Sequence, residues 1–92
     1  MTDRAGKDTR GLAALGTAIR TLRTRADLSQ QELAQRAELD VSALAAFETG
    51  REEPTWGDLR RLTYALGTPL ERLLETAEEL EQGDGRDSGT KA

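Results

Sequence analysis

Residues 28–50 read LSQQELAQRAELDVSALAAFETG. Ser29 and Glu32 stand three apart in the order S-x-x-E, in which each side chain satisfies a free backbone amide of a helix's first turn. A helix therefore opens at Ser29, with Leu33, Ala34 and Ala37 on its inner face. Asp40 is suited to cap a second, short helix that carries Leu44 and Phe47 inwards and that Gly50 terminates. A join of about three residues crosses two such helices steeply and forbids a long antiparallel contact. Ala34 supplies the small residue for the crossing, and Leu33, Ala37, Leu39, Leu44 and Phe47 close one small core. Length, spacing and small-residue placement make this stretch a helix-turn-helix. A plain helical bundle with no binding role is the other reading of the pattern alone.

The flanks are helical too. Leu12, Leu15, Ile19, Leu22 and Ala26 recur at steps of three and four, placing one apolar stripe on a helix over 12–26, which Asp27 interrupts. Pro54 and Thr55 start a further helix whose inner stripe is Trp56, Leu59, Leu62, Ala65 and Leu66, with Gly67 at its end. In Thr68-Pro69-Leu70-Glu71, threonine reads as the cap, proline as the first helical residue, and Glu71 as the partner of the box. Leu70, Leu73, Leu74, Ala77 and Leu80 follow on one face. Nothing alternates with a period of two, so no sheet is expected. The fold class is all-α, a five-helix bundle. Residues 1–10 read as a flexible arm, 11–82 as the helix-turn-helix domain with its core at 28–50, and 83–92, with three glycines and no large apolar residue, as a disordered tail.

The chain has 92 residues, 36% apolar and 33% charged, enough for one modest core under a charged surface. No apolar run approaches the roughly 20 residues that span a bilayer, and the polar start is unlike a signal peptide. With no cysteine and no histidine, disulfides, thiolate metal sites and the commonest general base are absent. The expectation is a cytoplasmic, non-enzymatic protein with no cofactor, no metal and no evident small-molecule ligand. Glu75, Glu78, Glu79 and Glu81 read as a solvated helix face. The net charge is -4, but it is unevenly spread. Residues 1–27 have a basic excess of three and residues 68–92 an acidic excess of four. Such polarity suits a protein that turns one end towards an anion, and equally a merely solvated surface.

The run from Leu28-Ser29-Gln30 through Glu32-Leu33-Ala34, Phe47-Glu48-x-Gly50, Pro54, Leu59 and Ala65-Leu66-Gly67 resembles the Cro/cI-like helix-turn-helix family, also called the xenobiotic response element family. The resemblance covers about Leu15 to Leu74. It implies a five-helix, lambda-repressor-like domain that binds double-stranded DNA with its third helix in the major groove. On that pattern Val41, Ser42, Ala45 and Ala46 face the bases. Gln30 matches a glutamine that holds both a phosphate and helix three, and Gln31, Thr49 and Arg51 face the DNA backbone. The arm residues Arg4, Lys7 and Arg10 add charge. Arg23 and Glu48 match an ion pair that joins helix one to helix three.

Several residues depart from the family. Val41, Ala43, Ala45 and Ala46 offer no bidentate partner for a base, and Ser42 is the main polar group there. Glu52 and Glu53 stand where phosphates would repel them. Glu38 takes a turn position often held by glycine; a positive φ there would cost on the order of 1 kcal/mol. Two functions follow: a DNA-binding transcriptional regulator, or a protein-interaction module that keeps the fold and offers Ala43, Ala45 and Ala46 to a partner helix. The distal part of helix five, Ala77 and Leu80, is suited either to pairing with a second copy or to folding back on helix one.

Overall fold

The computed structural model describes the backbone from Thr2 to Lys91 and the side chains of residues 11–82. Five helices follow in order: α1 (Thr2–Arg25), α2 (Gln30–Ala37), α3 (Val41–Glu48), α4 (Trp56–Leu66) and α5 (Leu70–Lys91), with no strand among the described residues. The side chains of the expected arm (1–10), Arg4, Lys7 and Arg10 among them, and of the tail (83–92) lie outside the described residues.

Local chemistry sets most helix ends. Ser29 Oγ accepts from the Glu32 amide at 3.0 Å while Glu32 Oε1 accepts from the Ser29 amide at 2.8 Å, which closes the box of α2. That backbone bond outweighs desolvation and, with lesser help from the Ser29 hydroxyl and from Arg36, holds the Glu32 carboxyl below its usual range. At the other end Glu38 is left-handed, φ 59° and ψ 46°, and the Leu39 amide reaches back to the Ala34 carbonyl at 2.8 Å. Asp40 holds the cap position of α3 without a side-chain hydrogen bond. A second box opens α4: Thr55 Oγ1 accepts from the Asp58 amide and Asp58 Oδ2 from the Thr55 amide. Gly67 ends α4 at φ 69°.

The fifth start differs from its sequence reading. α5 begins at Leu70, and the Pro69 carbonyl takes the amides of Arg72 and Leu73. Proline thus holds the cap position, one residue earlier than expected. The frame for a Thr68–Glu71 box is lost with that shift.

The core is formed by Ala18, Ile19 and Leu22 of α1, Leu28, Leu33, Ala34 and Ala37 of the second segment, Leu44 and Phe47 of α3, Leu62 of α4 and Leu73 of α5. Four residues assigned to buried stripes stand outside. Ala26 lies past the end of α1, where Asp27 turns the chain at φ 63°. Trp56 is 62% exposed because it is the first residue of α4, at the edge of the inward sector. Leu74 and Leu80 are more than a third exposed, and the buried line of α5 runs through Leu73 and Thr76 instead. Thr76 can be buried because its hydroxyl donates to the Arg72 carbonyl at 2.8 Å.

One glycine sets the distance between α1 and α3. A Cβ on Gly16 would stand 2.2 Å from the Phe47 carbonyl oxygen and 2.8 Å from that of Glu48. Only glycine permits that approach of helix one to the carbonyl end of α3. Gly11, one helical stretch earlier, has nothing nearer than the Glu81 carboxylate at 3.9 Å.

These two glycines predict opposite signs for one substitution. Gly16→Ala should destabilise the fold by about 2 kcal/mol, since the clashing atoms are backbone. Gly11→Ala should stabilise it by up to about 1 kcal/mol through helix propensity. Urea unfolding of both variants checks this, and equal effects would refute it. Glu38→Gly should add about 0.5–1 kcal/mol, the relief of the left-handed strain less the entropy that glycine adds to the unfolded chain. Its thermal midpoint is the readout, with a rise of a few degrees expected.

Candidate nucleic-acid interface

Glu48 is the last residue of α3 and is only 7% exposed. A carboxylate so placed must find donors, and it has three. Arg23 Nε donates to Oε2 at 2.7 Å, Arg23 Nη2 to Oε1 at 3.1 Å, and Gln30 Nε2 to Oε1 at 2.9 Å. The two-pronged contact suits the planar guanidinium. Arg23 also donates through Nη1 to the Leu28 carbonyl at 2.8 Å, which ties down the turn between α1 and α2. One acid therefore joins α1, the turn, the first residue of α2 and the last residue of α3. No buried side-chain nitrogen or oxygen among the described residues lacks a partner.

The consequence is orientation. The amino end of α2, with its free amides and positive dipole end, lies beside the carboxyl end of α3. Gln31 is exposed on the first turn of α2. Thr49 is exposed just past α3, its hydroxyl donating to the carbonyls of Ala45 and Ala46 at 3.0 and 3.2 Å. Beyond it the chain turns at Gly50, φ 77°, and the amides of Arg51 and Glu52 both return to the Ala46 carbonyl at 2.9 and 3.3 Å. Arg51, Glu52 and Glu53 are exposed.

The outward residues of α3 are unequal. Val41, 39% exposed, and Ser42 are open to solvent, Ala45 is half-buried, and Ala46 keeps only 4% of its surface. Ala46 is the floor of an open hollow of about 420 Å³ whose other walls are Ser42, Ala43, Arg51 and Glu52. The sequence alone did not place Gln30 against Glu48 by atom, nor the Leu28 carbonyl on Arg23. It also passed over Gly16, whose only signal was a glycine midway along a strong helical stripe. No helix among the described residues is long and apolar enough to cross a membrane. Among the same residues no cluster of acids is arranged to hold a metal ion.

A profile of the family described as helix-turn-helix domain matches residues 14–77, more than half the chain, and the protein belongs to that family. The restriction-modification controller protein C.AhdI from Aeromonas hydrophila is 32% identical, with a TM-score of 0.66 over 67% of this chain and 94% of that one. The clp gene regulator ClgR from Corynebacterium glutamicum is similar in two structures. One is 30% identical with a TM-score of 0.71, covering 76% of this chain and 87% of the other. The second is 25% identical with a TM-score of 0.78, covering 90% and 86%. No curated protein sequence matches the chain. With these neighbours and its five-helix order, the chain is a Cro/cI-like, lambda-repressor-like member of the family.

The buried pair predicts an asymmetry in mutation. Arg23→Ala leaves the Glu48 charge nearly dry with Gln30 alone and should cost about 3–5 kcal/mol. The double variant Arg23→Met, Glu48→Leu removes both charges and should retain most of the wild-type stability. Chemical unfolding of Arg23→Met, Glu48→Leu and the double variant tests this; additive losses would exclude the coupling.

Proposed function

We propose that the protein is a DNA-binding transcriptional regulator that lays α3 in the major groove of double-stranded DNA. The observation that carries this is the Gln30–Glu48–Arg23 network, which fixes the amino end of α2 beside an α3 whose Val41 and Ser42 are free. The solved neighbours named as a controller protein and a gene regulator support it. Phosphate is met by the α2 amides with Gln30 and Gln31 and by Thr49; Arg4, Lys7 and Arg10 extend the contact. Val41 and Ser42 face the base edges with the half-buried Ala45 behind them, and Val41 suits a thymine methyl; Ala46, expected to face the bases, is almost covered and lies beneath them.

The interaction-module reading loses ground on the same face. Ala43 and Ala45 are half-buried and Ala46 is almost covered, so little alanine surface is left for a partner helix. The protein acts in the cytoplasm, without catalysis, as its regulator neighbours do not suggest an enzyme. A second copy pairs through Leu74 and Leu80 of α5, which remain more than a third exposed; Ala77 packs on the core, and the distal turn of α5 already folds back along α1, with Glu81 beside Gly11. A two-fold pair would set two copies of α3 about one DNA turn, roughly 34 Å, apart.

Fluorescence anisotropy on a promoter-derived duplex pool at two salt concentrations tests the function. With about three phosphates neutralised, log affinity should fall against log salt with a slope of about -3. Binding that ignores salt, or none at low salt, refutes the reading. Sedimentation at micromolar concentration should give a dimer that Leu80→Glu dissociates; a wild-type monomer refutes the α5 pairing.

A further inference from the structure

α3 presents no side chain able to make a two-pronged contact to a base. Its only long polar residue is Glu48, spent in the buried pair. The open hollow beside α3 brings in two residues from outside the helix. Ser42, Ala43 and Ala46 form its helix side, and Arg51 and Glu52 form its other wall. These two are rooted rather than loosely hung. Both of their amides donate to the Ala46 carbonyl, so the start of each side chain is fixed relative to α3. Neither side chain is committed to another hydrogen bond or ion pair among the described residues.

We propose that Arg51 and Glu52 read a G·C base pair in the major groove, supplying from the α3–α4 loop the selectivity that α3 itself lacks. Guanine shows two acceptors at that edge, O6 and N7, which match the forked donors of an arginine. Its cytosine partner shows the N4 amino group, a donor that a carboxylate accepts. One cation and one anion on successive residues therefore complement the two halves of one base pair. The short side chains Ser42 and Ala46 leave the room between helix and loop for them. A glutamate so near DNA otherwise meets only phosphate, which repels it. A cytosine amino group gives it a partner. This assignment moves Arg51 from the backbone to the bases, and it rests on the DNA-binding reading above.

The test is selection of duplexes from a random pool by the full chain, followed by anisotropy on single-base-pair variants of the selected site. The wild type should select a fixed G·C pair in each half-site. Arg51→Ala should lose roughly ten- to a hundredfold on that duplex and stay near the wild type on duplexes already altered at that pair. Glu52→Ala should flatten the preference for cytosine at the same pair and leave the other positions unchanged. Both residues are exposed and anchored through the backbone only, and unchanged circular dichroism will confirm that the variants fold. A uniform loss with Arg51→Ala on every duplex, with a salt slope shallower by about one, would mark a phosphate contact and overturn the proposal. A uniform gain with Glu52→Ala on every duplex would mark mere repulsion and overturn it as well. A wild type that binds no DNA at low salt would sink the DNA-binding reading first, whereas one that binds but selects no G·C pair sinks only this proposal.

Discussion

A buried carboxylate cannot stay charged without partners, and that requirement at Glu48 organises the domain. Its three donors come from two separate helices, and a fourth donor on the same guanidinium takes up the Leu28 carbonyl. Taking both charges out of water costs much of what their attraction returns, so the pair adds less to stability than its short distances suggest. Its value lies in angle. A guanidinium held at three nitrogens fixes the turn before α2 and the end of α3 together. The network adds to the packing of Leu33, Ala34 and Ala37 against Leu44 and Phe47 between two helices of only eight residues.

The glycine of helix one belongs to the same arrangement. Arg23 reaches Glu48 because α1 lies against the last carbonyls of α3, and α1 lies there because Gly16 has no side chain. Seven residues separate Gly16 from Arg23, two helical turns, so both meet α3 from one face of α1. Steric permission and electrostatic attraction act at neighbouring points of one contact.

The parts of this structure legible in the sequence are those governed by local chemistry. Ser29 and Glu32 cap α2 through bonds three residues apart, and Gly67 ends α4, so both ends could be read directly. The buried Leu33, Leu44, Leu62 and Leu73 follow from period alone. What escaped was set by tertiary context. Trp56 looks like a core residue by type, yet as the first residue of α4 it stays largely exposed. Thr76 looks like a surface residue, yet its hydroxyl is satisfied within its own helix and frees it for burial. Pro69 fits either the cap or the first helical position, and only the frame of carbonyl bonds decides between them. At the site, the Arg23–Glu48 link was implied by resemblance, while the burial of Ala46 and the hollow beside it depend on how the α3–α4 loop folds back.

The acidity of the chain then takes on a meaning that composition alone does not give it. Non-specific attraction to DNA grows with the number of phosphates a protein neutralises and is blind to sequence. A chain of net charge -4, with Glu52 and Glu53 beside α3, holds that term down. A regulator finds its site against a vast excess of other DNA, so the ratio of specific to non-specific affinity matters more than either affinity. Repulsion between such carboxylates and phosphate lowers the affinity for every sequence; under the base-pair reading proposed for Glu52, a cytosine amino group offsets that loss at the selected site alone. An acidic reading face is therefore compatible with DNA binding, provided the scaffold holds its few cationic and polar contacts rigidly, and the Glu48 network supplies that rigidity.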